Sequence, residues 1–160
     1  MKIDNKNYKT IWFNEKDASV GIIDQTKLPH SLEIISLKSL SDVIQAIKIM
    51  QVRGAPLIGG AAAYGIFLAM KDNPSDDNLA LASKKLIESR PTAVNLKSSV
   101  DRMNDGLKDT TSKERFETSL LLAKTICLED EASCRSIGLC GKKIIEQYIQ
   151  DNNLDTINIL

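Results

Sequence analysis

Histidine, tryptophan and cysteine are scarce in this chain of 160 residues, which holds one His, one Trp and three Cys. With His30 as the single imidazole, no zinc-type Cys/His spacing can be assembled around Cys127, Cys134 and Cys140, and an odd cysteine count speaks for reduced thiols rather than a disulfide framework. No structural metal is expected. Aromatic residues make up 4% of the chain. Trp12, Phe13 and Tyr64 are too scattered for a base-stacking surface, and with Phe67 they suit the packing of a β layer on a helix. Net charge is missing as well, because the 21 basic and 21 acidic residues balance and are dispersed. Neither nucleic acid nor an anionic membrane gains support from that pattern. No apolar segment follows Lys2, Asp4 and Lys6, as a signal peptide would require. The uncharged run from Ala55 to Met70 falls short of the roughly 20 residues of a membrane-spanning helix. A cytoplasmic protein with a small ligand is the expectation.

What is present is a 42% hydrophobic composition, enough for one core. Short β-favouring runs at Tyr8–Phe13, Val20–Ile23 and Leu32–Leu37, separated by Asn14-Glu15-Lys16-Asp17 and broken at Leu28-Pro29, predict a small antiparallel hairpin or meander. Helices follow. Ser39 to Asp42 resembles a capping box, and Val43, Ile47 and Met50 predict a helix from about 40 to 52 that stops at Gly54. Pro56 suits the first turn of the next helix, Leu57 to about Lys71, which is apolar almost all round and predicts the buried centre of the fold. Asp76 or Asp77 can cap a helix through Leu79, Ala82, Leu86 and Ile87. Thr92 can cap another, through Leu96, Val100 and Met103 to about Leu107. A longer helical stretch opens at Thr111, with a break expected near Glu129 or Asp130. Thr156–Leu160 reads as a strand, which needs a sheet and so predicts further chain beyond it.

Two segments carry candidate chemistry. In Val52-Arg53-Gly54-Ala55-Pro56, a cation, a flexible glycine and a proline-started helix coincide. A helix N-terminus offers unpaired amides and partial positive charge, and Arg53 can add a forked, charge-assisted bond, a combination suited to phosphate. Ser89-Arg90-Pro91-Thr92-Ala93-Val94-Asn95-Leu96 repeats the theme, with Asn95 in the first turn offering a neutral amide. Read alone, each segment is also compatible with a plain helix cap beside a solvated arginine. If both starts face one cleft, Arg53 and Arg90 can clamp one phosphate.

Val52 to Gly65 and Ser89 to Leu96 resemble the hallmark segments of the methylthioribose-1-phosphate isomerase family. Ile23-Asp-Gln-Thr-Lys-Leu-Pro29 and Ile137-Gly-Leu-Cys-Gly141 match beside them, and the resemblance runs from Trp12 to Leu160. It implies an aldose–ketose isomerase of methionine salvage, working without cofactor on 5-methylthioribose 1-phosphate, with Arg53, Gly54, Ala55 and Arg90 on phosphate and sugar. It implies a homodimer when full length. It also implies that the catalytic cysteine and aspartate lie beyond Leu160, so no catalytic residue is assigned within this chain. The expected class is an α+β fragment: a β-hairpin or meander plus helical bundle over residues 1–150, then residues 151–160 as the first strand of a Rossmann-like domain.

Other residues draw blander readings. Cys140 shares a register with Ile137 and Ile144, so the cysteines read as small core residues. His30 reads as a turn histidine, though a general base is conceivable, and Asp24 is either a turn-forming carboxylate or a cleft residue. The competing functions are a ribose-1,5-bisphosphate isomerase, which needs extra cations for a second phosphate; a non-catalytic regulatory subunit related to translation initiation factor 2B; and a stand-alone helical domain.

Overall fold

Alternating β-branched residues between turns place a three-stranded antiparallel sheet at the front of the chain. A computed structural model describes residues 2–3 and 5–158. A short ladder, β1 (Lys2–Ile3) with β2 (Lys6–Asn7), precedes β3 (Ile11–Asn14), β4 (Ser19–Ile23) and β5 (Ile34–Leu37). The sheet order is β3-β4-β5, with Ile11 opposite Ile22 and Ile22 opposite Ile35. Central β4 is buried along its whole length. Gly21 faces Trp12 across the ladder, and a Cβ there would lie 2.3 Å from the indole ring, so only glycine lets the ring lie over the strand.

Helices α1 (Leu40–Lys48), α2 (Ala55–Asp72), α3 (Asp76–Ser89), α4 (Val94–Leu107) and α5 (Arg115–Asp151) follow. The capping box of α1 is present in full: Ser39 Oγ accepts from the Asp42 amide, and the Asp42 carboxylate accepts from the Ser39 amide. The helix ends earlier than its periodicity predicts. Met50 takes a left-handed φ of 63°, and the Val52 amide bonds back to the Ala46 carbonyl, so the helix closes at Lys48, six residues before Gly54. Met50, expected in the core, is exposed as a result, while Val52 turns inward and is fully buried.

Helix α2 is the buried centre, as its apolar circumference predicts: Ile58 through Met70 are all buried. Phe67 meets Phe13 of the sheet edge-on at 5.5 Å and Phe116 of α5 at 5.5 Å, joining the β layer to the helices. Burying one such ring is worth roughly 1.5–3 kcal/mol.

Two caps differ from expectation. Ser75, not Asp76 or Asp77, caps α3, accepting from the Asn78 amide; its extended backbone leaves both aspartates free for the first turn. Ala93, not Thr92, precedes α4, with no side-chain cap. At the start of α5, the buried Arg115 donates to the Pro74 carbonyl and pairs with Asp76, tying this helix to the α2–α3 turn.

The chain divides into two compact units, Met1–Cys127 and Leu128–Leu160. No break occurs near residue 129 or 130, because α5 runs unbroken to Asp151. In the second unit residues 131–140 are exposed throughout, Cys134 and Cys140 with them. The core reading of those two cysteines is therefore corrected: an apolar register buries a residue only where another element covers it. Cys127 is half-buried, its sulfur 2.8 Å from where a Cβ on Gly60 would lie. Residues 156–158 pair with no strand among the described residues, and Ile159 and Leu160, the rest of that expected strand, lie outside them.

Candidate anion-binding site

The sharp end of α1 delivers Gln51–Gly54 to the start of α2. Gly54 is the N-cap of α2 with φ 91°. A Cβ there would meet nothing within 4 Å, so glycine is required by the backbone angle and not by crowding. Since Gly54 has no side chain and Pro56 has no N–H, the first turn presents the amides of Ala55 and Leu57, and the first intrahelical bond is Ile58 N–H to the Gly54 carbonyl. No acidic residue stands in that turn.

Helix α4 begins in the same way, without side-chain cap or acid. Helices α1 and α3, by contrast, carry a serine cap with Asp42 and with Asp76 and Asp77 respectively. The two helix starts lacking negative charge are those that follow Arg53 and Arg90.

Packing brings them to one end of the bundle. A Cβ on Gly59 would lie 2.7 Å from Ser99 Oγ and 3.1 Å from the Asn95 carbonyl oxygen, so α2 touches the first turns of α4. Gly59 stands four residues into α2, roughly 6 Å along its axis. The starts of α2 and α4 flank this contact.

Arg53, Gly54, Ala55 and Asn95 are exposed, and Arg90 is half-buried. Arg53 Nε donates to Gln25 Oε1 at 3.3 Å. Arg90 closes α3, its carbonyl accepting from the Ala93 amide, and its Nη1 is withdrawn from solvent with no hydrogen-bond partner among the described residues. A guanidinium nitrogen left unsatisfied in that position costs roughly 1–3 kcal/mol.

Asp24 proves to be a turn carboxylate and not a ligand group. It is 3% exposed, and its oxygens are taken by the Thr26 amide (2.9 Å), the Thr26 hydroxyl (2.6 Å) and the Gln51 side-chain amide (2.9 Å). Burial opposes its ionisation, but the Thr26 and Gln51 bonds with the charge of Lys27 outweigh that and hold the carboxyl below its ordinary value. Its stabilising contribution is complete above the unfolded-chain value of about 3.9 and is lost as pH falls through the lower folded value. Melting temperatures recorded at falling pH should accordingly drop more steeply for the wild type than for Asp24→Asn below about pH 4. Parallel slopes would contradict this role.

His30 lies exposed in a turn, its amide bonded to the Lys27 carbonyl. Among the described residues no group of three or more His, Cys, Asp or Glu is placed to hold a metal ion, and no helix is long and apolar enough to cross a membrane. Gln25 and Gln51, which fasten the Arg53 loop to the sheet, were not distinguished by the sequence patterns. The one sequence signal for Gln25 is the Asp24-Gln25-Thr26 turn, and Gln51 has none.

Residues 51–157 match the model of the initiation factor 2 subunit family, and the chain belongs to that family. Within it, the chain is 46% identical over 146 residues to the methylthioribose-1-phosphate isomerase of Methylocella silvestris, a match covering 91% of this chain and 40% of that one. It is 45% identical over 161 residues to the enzyme of the same name from an Escherichia coli O45:K1 strain, covering 100% of this chain and 43% of that one. Among solved structures, 5-methylthioribose 1-phosphate isomerase from Pyrococcus horikoshii superposes with a TM-score of 0.71 at 30% identity, over 78% of this chain and 37% of that one. The delta subunit of translation initiation factor eIF-2B from A. fulgidus gives 0.71 at 34% identity, over 78% and 38%. The chain thus spans about two fifths of the length of these relatives.

Proposed function

We propose that this chain supplies the phosphate-binding part of an isomerase that converts 5-methylthioribose 1-phosphate into 5-methylthioribulose 1-phosphate. The observation that carries the reading is the pair of uncapped, acid-free helix starts, one led by Arg53 and one by Arg90, at one end of the bundle. Arg53, the amides of Ala55 and Leu57, Arg90 and Asn95 are the proposed ligands of the phosphate and sugar. Phosphorylation of the anomeric hydroxyl keeps the sugar from opening simply to an aldehyde, so the reaction needs acid and base groups in a water-excluded site. Asp24 is buried with both oxygens hydrogen-bonded, and His30 is exposed. By resemblance to the family, the proposal places proton transfer on residues outside these 160 and reads residues 151–160 as the start of a Rossmann-like domain. By resemblance to the family the reading extends to a cytoplasmic homodimer.

Likeness to an initiation-factor subunit keeps a regulatory role as the second reading. An isomerase assay on the intact protein that carries this chain separates the two. Turnover of 5-methylthioribose 1-phosphate, with kcat/KM lowered at least about tenfold by Arg53→Ala, is the expected result. Turnover of ribose 1,5-bisphosphate instead would overturn the substrate, and no turnover of either sugar would leave the regulatory reading.

A further inference from the structure

The loop bearing Arg53 is fastened to the end of β4 by a ladder of hydrogen bonds. Gln51 Nε2 donates to Asp24 Oδ2 at 2.9 Å, the Gln25 amide donates to the Gln51 carbonyl at 3.0 Å, and Arg53 Nε donates to Gln25 Oε1 at 3.3 Å. Each rung lies one step nearer the anion-binding end. The first is anchored in the core, since Asp24 is buried and held by Thr26 from the other side. The last is at the surface, where an arginine would otherwise sweep many rotamers.

A guanidinium has five N–H donors. Gln25 takes the one on Nε, and among the described residues Arg53 makes no other hydrogen bond. The four N–H on Nη1 and Nη2 are left as an end-on fork, the geometry that pairs with two oxygens of one phosphate. Gln25 serves this better than a glutamate would, because its carbonyl dipole orients the arginine without neutralising it.

We infer that Gln25 is a positioning residue for the substrate's phosphate, holding Arg53 Nε through its side-chain carbonyl so that the Nη1–Nη2 edge is presented beside the uncapped start of α2. The inference rests on the phosphate reading above and adds a residue that does not itself touch the anion. Preorganisation of this kind lowers the entropy lost on binding and so appears in affinity, not in fold stability.

Inorganic phosphate titrated into the intact protein that carries this chain, followed by the NMR signal of the Arg53 Nε–H group, tests it. In the wild type the Nε–H proton should exchange slowly with water and shift as phosphate binds. Gln25→Met, which keeps the length and removes the acceptor, should speed that exchange and weaken phosphate binding by about three- to tenfold at an unchanged melting temperature. Gln25→Glu, which restores an acceptor, should restore slow exchange. If Gln25→Met does not fold, Gln25→Asn, one methylene too short to reach, takes its place. Wild-type affinity in a folded variant lacking the acceptor, or fast Nε–H exchange in the wild type, overturns the role of Gln25 and leaves the phosphate site standing. No phosphate response in the wild type overturns the phosphate reading itself, and the inference falls with it.

Discussion

Arg53→Ala should lower the affinity of this chain for phosphate by roughly one to two orders of magnitude, while the melting temperature stays within about 1–2 °C of the wild type. The first figure follows from a charge-assisted bond worth about 1.5–3 kcal/mol, each 1.4 kcal/mol being tenfold. The second follows from exposure, since Arg53 lies at the surface and its one hydrogen bond among the described residues, to Gln25, is exposed too. Arg53→Lys should recover only part of the affinity, because an ammonium keeps the charge and loses the fork. Calorimetric titration at fixed ionic strength reads both, and affinity unchanged by Arg53→Ala would remove this loop from the site.

Gly59→Val should have the largest effect on the fold, and it should reach the site without touching it. A Cβ at Gly59 meets Ser99 Oγ, which can rotate away, and the Asn95 carbonyl, which is backbone and cannot. The start of α4 must then move off α2. Overpacking of this kind costs about 1–3 kcal/mol, or some 2–9 °C in melting temperature for a chain of this size. Phosphate affinity should fall with it, because the arginine-led helix starts separate. Gly138→Val is the control: nothing lies within 4 Å of a Cβ there, so it carries only the helix propensity of valine. Equal melting temperatures for the two variants would show that the α2–α4 contact is not tight enough to position anything.

Much of this was legible because local rules and tertiary packing agree. The strand runs around Phe13 and Ile22, the box at Ser39 and Asp42, and the all-apolar α2 each state their structure in a few residues. Position 50 was misread because periodicity cannot register a left-handed residue, and Met50 is an uncommon place for one. Cap identities at Ser75 and Ala93 slipped by a residue or two, since a run of capping-competent side chains does not say which one adopts extended backbone. Cys140 and Ile144 share an apolar register that was legible, but whether a second element covers it is not a property of the helix itself.

The site divides in the same way. Arg53 and Arg90 stand out in sequence because glycine and proline punctuate the helix starts beside them. Their placement at one end depends on Gly59 admitting α4, and the tether through Gln25 and Gln51 depends on the end of the central strand meeting a helix terminus 26 to 28 residues later in sequence. No local pattern encodes such a meeting.

The central claim is that Arg53 and Arg90 act on one phosphate. A double-mutant cycle measures it directly: phosphate affinities of the wild type, Arg53→Ala, Arg90→Ala and the double variant. The account predicts that both single variants bind more weakly and that the losses fail to add by more than about 0.5 kcal/mol. Additive losses, or a loss from one arginine alone, would place the two side chains at separate sites and contradict it.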